Sequence, residues 1–134
     1  MSKNDFYGMV PKDLHENLRF RKKIVELGSE SSANANDLWQ MCAKDLLFYI
    51  NTFCWTYDPR KAVASIPFLT YEFQDSSLLD MDDSIGKRDI LIEKSRDMGA
   101  SWMLLTLFEW RWHFHDGQSF LLVSRNEDYV DKPG

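Results

Sequence analysis

Apolar positions in the second half of the chain come in two patterns. The stretch DILIEKSRDMGASWMLLTLFEWRWHFHDGQSFLLVS, from Asp89 to Ser124, holds two short unbroken apolar runs, Ile90–Ile92 and Phe120–Val123, on either side of a longer periodic one. A run without alternation suits a strand buried on both faces, as in a parallel sheet. From Ser101 to His115, about four turns at 3.6 residues per turn, Met103, Leu104, Leu107, Phe108 and Trp112 form an apolar stripe at helical spacing. The pattern predicts strand, loop, helix and parallel strand, a right-handed βαβ crossover. The fold class expected is therefore α/β.

Ahead of this unit the spacing predicts helices. Asp13 to Leu27 puts Leu14, Leu18 and Val25 on one face and the basic run Arg19 to Lys23 partly on another, a solvated face, with Gly28 as the stop. The polar stretch GSESSANAN, Gly28 to Asn36, reads as a flexible linker. A second helix is expected from Asp37, with Gln40 at the capping-box position, to about Phe53. Leu38, Cys42, Leu46, Tyr49, Ile50 and Phe53 fall near one side of it as core, and Asp58-Pro59 breaks the pattern.

The chemistry should sit in the loop Glu93 to Ser101, because open parallel sheets bind ligands beyond the carboxyl ends of their strands. Unpaired N–H groups and the dipole at the start of the following helix favour an anion such as phosphate. Gly99 permits a sharp turn or close approach, Ser101 offers a hydroxyl suited to Mg²⁺, and Lys94 and Arg96 supply cations. Against G-x-x-x-x-G-K-[ST], Gly99 and Ser101 match, while Ala100 stands at the Lys position and Lys94 at the first Gly. Upstream, in IPFLTYEFQ, the Gln74 carboxamide presents a donor and an acceptor together, as an adenine edge requires. Phe68, Tyr71 or Phe73 would cover the base.

Other chemistries fail on spacing. Asp80, Asp82, Asp83 and Gly86 suggest calcium, but an EF-hand loop from Asp80 would need Gly and Glu where Ile85 and Leu91 stand. A solvated acidic turn is the better reading. His113 and His115 diverge on a helix, and Cys42 and Cys54 form no metal or redox motif, so they read as reduced, partly buried thiols. The net charge of −5 argues against a broad nucleic-acid surface. No window reaches the roughly 18 apolar residues of a membrane span, and Met1 to Val10 has no signal-peptide core.

The string EKSRDMGASWM resembles the variant phosphate loop of tailed-phage large terminase subunits, the motor ATPases that package viral DNA, in many of which the lysine opens the loop as Lys94 does. DLLFYINTFCWTYDPR, the placement of Gln74 about twenty residues before the loop, and SRNEDYVDKPG are similar to the flanking segments of that family. The resemblance runs from about Asp37 to Gly134 and covers the first part of a large terminase. Residues 1–36 then form an N-terminal helix and linker ahead of it, and the resemblance implies 37–134 as an incomplete P-loop ATPase domain. It further implies ATP and Mg²⁺ held by Gln74, Lys94, Ser95, Arg96, Gly99, Ala100 and Ser101, with Ser101 on the metal and Arg96 at the γ-phosphate. The implied partners are viral double-stranded DNA, the small terminase subunit and the portal protein, with a homo-oligomer on the portal in the host cytoplasm. The strand carrying the acidic pair and the nuclease domain do not occur in these residues, so the chain alone is expected to be inactive as an ATPase. Two alternatives stay open: a non-catalytic interaction module, and part of another P-loop helicase or translocase.

Overall fold

The computed structural model describes residues 6–96 and 98–123. After a 3-10 turn at Tyr7–Met9, the Asp13 carboxylate accepts from the N–H groups of His15 and Glu16, both at 3.0 Å, and opens helix α1 (Leu14–Glu30). This is the expected start. The expected stop is wrong, because Gly28 lies inside α1, where a Cβ would meet Leu38 Cδ1 at 3.0 Å. Its bare backbone lets the next helix come close. Ser31 ends α1 and caps α2 (Ser32–Lys44) by accepting from the Asn34 N–H at 3.1 Å, while Asn34 Nδ2 donates to the Leu27 carbonyl at 3.0 Å. Gly28 to Asn36 is thus a corner between two helices, and Ser31 rather than Asp37 begins the second one.

Asp45 splits the single helix expected through Phe53. Its buried carboxylate accepts from the N–H groups of Phe48 at 2.9 Å, Phe6 at 3.1 Å and Tyr7 at 2.9 Å, capping α3 (Leu46–Phe53) and tying the N-terminal segment to it. Burial pushes this carboxyl above the ordinary range, against the pull of the N–H groups. At the other end, Arg21 Nη1 donates to the Cys54 carbonyl at 2.8 Å and Nη2 to the Asn51 carbonyl at 2.9 Å. Arg21 is therefore buried structure within a basic run otherwise exposed at Arg19, Lys22 and Lys23. Leu14, Leu18 and Val25, the expected apolar face of α1, are exposed instead.

The main core joins Leu46, Leu47 and Ile50 of α3 to Phe68, Leu78, Met81, Met103, Leu107 and Trp110, and Phe48 packs with Val10 and Cys42 on the opposite side. A short antiparallel hairpin, β1 (Trp55–Tyr57) and β2 (Ser65–Pro67), sets Thr56 opposite Ile66. The acidic stretch expected as a turn is helix α4 (Glu72–Ser84), with Leu78 and Met81 turned inward. Its acids find cations: Arg111 Nε donates to Asp82 at 2.7 Å, Lys87 to Asp83 at 2.6 Å, and Arg88 to both Asp80 and Asp83. Helix α5 (Ala100–Phe114) lies within one residue of its expected bounds. Its buried tryptophan is Trp110, whose Nε1 donates to the Cys42 carbonyl at 2.8 Å, whereas Trp112 is exposed.

The α/β expectation is overturned. Among the described residues the fold is mostly helical, its sheet is the two-stranded antiparallel hairpin, and there is no parallel βαβ unit. Ile90–Ile92 and Phe120–Val123 are not strands. Each is fastened at one point, Ile90 against the core and Phe120 stacked on Phe108 with ring centroids 4.2 Å apart. Beyond these points Leu91 is 97% exposed and Val123 84%. A strand exists only through hydrogen bonds to a neighbour, and no described segment lies beside these runs to supply them. The expected family segment Ser124 to Gly134 lies outside the described residues, as does Asp97 of the loop.

Both cysteines are free, and burial pushes each thiol up to about 12, as inert packing groups require. No described helix is long and apolar enough to cross a membrane.

Asp45→Ala leaves three N–H groups without their acceptor. The change should lower unfolding free energy by about 2–4 kcal/mol, measured by chemical denaturation. The exposed apolar runs carry unpaired backbone as well, which favours pairing between chains. Sedimentation of the chain should show reversible self-association that Leu91→Lys combined with Val123→Lys reduces; a wild-type monomer at every concentration would contradict this.

Candidate functional site

One cleft of about 770 Å³ opens between the β1–β2 hairpin, the start of α4 and the segment leading into α5. Three elements build it for separate local reasons. The hairpin loop turns at Asp58, whose carboxylate accepts from Arg60 N–H at 3.0 Å and from Arg60 Nε at 2.9 Å. These bonds hold the Asp58 carboxyl below the usual carboxylate range.

The second wall is the first turn of α4. Gln74 Oε1 accepts from the Tyr71 N–H at 3.0 Å, reaching back over an end that would otherwise carry an unpaired donor. The same amide turns its other side to the third wall, with Nε2 donating to the Met98 carbonyl at 3.2 Å. Beside it, the rings of Tyr71 and Phe73 stack 5.7 Å apart at 7°, both facing solvent at the cleft.

The third wall is the loop before α5. Gly99 caps that helix in the left-handed region, φ +76°, which only glycine adopts without strain. A Cβ on it would stand 2.9 Å from Gln74 Nε2. No side chain caps α5 and no acid sits in its first turn, so its leading N–H groups are left for another acceptor.

Six of the seven residues singled out by the sequence border this cleft: Gln74, Lys94, Arg96, Gly99, Ala100 and Ser101. Ser95, exposed, does not. Of the three aromatics proposed as base covers, Tyr71 and Phe73 are exposed enough to serve, and Phe68 is committed to the core. Sequence reasoning missed Asp58, Arg60 and Trp102. The Asp-Pro pair marks a turn, but nothing local says that the turn folds back across a loop some forty residues on.

The cleft brings cations and an aromatic pair to one opening. Its volume lies within the roughly 300–1,000 Å³ usual for ligand sites. Lys94, Arg96 and the N-terminus of α5 supply positive potential at one part, and the stacked aromatics offer a platform at another. The described residues contain no group of three or more metal-ligating side chains. A cation there would be held mainly by the ligand's phosphates, with the Ser101 hydroxyl as a protein contribution, the ordinary arrangement for Mg²⁺. No protein-family model, no curated protein and no solved structure matches the chain.

Proposed function

We propose that this chain is the nucleotide-binding part of a DNA-packaging ATPase of the tailed-phage large terminase kind, holding ATP with Mg²⁺ in the cleft between hairpin and α5. The observation that carries the reading is convergence. Gln74 and, some twenty residues on, Lys94, Arg96, Gly99, Ala100 and Ser101 border one cavity. In this reading Lys94 and Arg96 would neutralise phosphate oxygens, the leading N–H groups of α5 would donate to them, and the Ser101 hydroxyl would offer a ligand to the metal. Gln74 meets the adenine edge with the hydrogen of Nε2 and the lone pair of Oε1 that its two protein bonds leave over. Tyr71 and Phe73 cover the base. Viral double-stranded DNA, the small subunit and the portal are the partners that go with this function, in the host cytoplasm.

The same geometry sets the limit of the chemistry. Phosphoryl transfer needs a positioned water and charge stabilisation around the transferring group, and the carboxylate bordering the cleft, Asp58, is engaged by Arg60. The chain is proposed to bind nucleotide and to leave hydrolysis to further residues of the motor. A second reading, an interaction module without nucleotide, is favoured by the exposed Leu91, Leu121 and Val123. Nucleotide titration separates the two.

Lys94→Ala should weaken binding of a non-hydrolysable ATP analogue by about 1.5–3 kcal/mol, roughly 10- to 150-fold, in calorimetric titration. An unchanged affinity would remove Lys94 from the phosphate site. On base choice, Gln74→Ala should cost ATP more than GTP, since the amide matches the adenine edge. Equal losses for both nucleotides would assign Gln74 no part in reading the base.

A further inference from the structure

We infer that Gln74 is also a positioning residue: its amide clamps the anion-binding loop to helix α4 and sets where the N-terminus of α5 points. The loop needs such a clamp. Between the Arg88 N–H, bonded to the Ser84 carbonyl at 3.0 Å, and the Met103 N–H, bonded to the Gly99 carbonyl at 3.0 Å, the described residues make no backbone–backbone hydrogen bond. Over this span Leu91, Ile92, Lys94 and Arg96 are exposed, so packing holds little of it. What ties its end to the preceding helix among the described residues is the bond from Gln74 Nε2 to the Met98 carbonyl, 3.2 Å.

Three features make that bond a fixed point. Gln74 is 6% exposed, and its Oε1 is held at 3.0 Å by the Tyr71 N–H, so the amide plane is set before it meets the loop. Nε2 lies against Gly99, where a Cβ would approach to 2.9 Å, so the loop backbone rests directly on the amide. Gly99 at φ +76° is itself the residue that turns the chain into α5. Moving the amide therefore moves the turn, and with it the N–H groups that would face a phosphate. The consequence separates this role from base recognition: Gln74 should affect a ligand that has no base.

The clamp rests on reading the cleft as a phosphate site only for its ligand arm, and its other arm needs no ligand. In the free chain, amide hydrogen exchange at Met103 reports the first bond of α5. Gln74→Glu keeps an oxygen for the Tyr71 N–H and removes the donor to Met98, and Gly99→Ala disturbs the same contact from the loop side without adding charge. Both should speed Met103 exchange roughly three- to tenfold, the factor expected of one ordinary hydrogen bond. Leu107 and Trp110 amides should exchange as in the wild type. In titrations with tripolyphosphate, both variants should bind more weakly, and Gly99→Ala should lose the same factor for ATP as for tripolyphosphate. Unchanged Met103 exchange in Gln74→Glu overturns the clamp whatever Gly99→Ala does, since an alanine at φ +76° strains the turn on its own account. So does exchange raised equally at Leu107 and Trp110, which would make Gln74 a general support of the fold. If the wild type binds neither tripolyphosphate nor ATP, the nucleotide reading falls, while the exchange result still decides the clamp.

Discussion

A helix of eight residues has too few internal hydrogen bonds to hold itself in water, and burying one requires that its end groups find partners inside the protein. Helix α3 meets that constraint, and the rest of the molecule is arranged around it. Its apolar residues Leu46, Leu47, Phe48 and Ile50 are almost wholly inaccessible. Asp45 satisfies its first N–H groups and Arg21 its last carbonyls, with Asn17 Nδ2 adding a bond to the Asn51 carbonyl at 3.0 Å. Arg21 in turn is steered by Asn17 Oδ1, which accepts from its Nε at 2.6 Å. The inward face of α1 is polar for this reason.

From α3 the constraint passes to the cleft through a second polar chain. Asn51 Oδ1 accepts from the Thr70 N–H at 2.9 Å, and its Nδ2 donates to Thr70 Oγ1 at 3.0 Å. Thr70 Oγ1 donates to Asp75 on the first turn of α4, and Asp75 accepts from Tyr7 Oη at 2.6 Å. Lys12 Nζ closes the group by donating to Tyr7 Oη, Asn51 Oδ1 and Thr70 Oγ1 at 2.7, 2.8 and 3.0 Å. Burial holds the Lys12 ammonium below its ordinary range and the Tyr7 hydroxyl above its own. Asn51 and Thr70 are its buried members, and leaving either unpaired would be costly, so the network specifies one arrangement. Here it fixes Thr70 and Asp75, which flank Tyr71 to Gln74, and so the register of Gln74 against the Met98 carbonyl. The path from core to cleft runs α3, Asn51, Thr70, Gln74, Gly99, α5.

The two faces of the molecule differ in how complete they are. Around α3 the buried polar side chains are matched except at Thr52 Oγ1, whereas Leu91, Trp112, Leu121 and Val123 stand in solvent. Those residues belong to the two runs whose unbroken apolar character predicted buried strands, and to the outer side of α5. Their composition specifies burial, and the described chain supplies nothing that buries them.

Several features were legible in the residues because their physics is local. The start of α1 at Asp13, the bounds of α5 and the sharp turn at Gly99 depend on neighbours within a turn or two, and the sequence alone determined them. Gln74 and the loop were read as one site from type and placement, and they do border one cleft. What failed depended on distant partners. A strand is defined by its neighbour, so Ile90–Ile92 and Phe120–Val123 carry strand character without being strands. Gly28 reads as a stop until Leu38 lies against it, and one helix is expected from Asp37 to about Phe53 until Asp45 turns to the N–H groups of Phe6 and Tyr7, thirty-eight residues or more away. Trp110 and Trp112 are two positions apart in one apolar stretch, and packing in the core together with the bond to the Cys42 carbonyl decides that Trp110 turns inward. Tertiary structure alone decided these points, because each follows from a contact between segments whose separation no local pattern encodes.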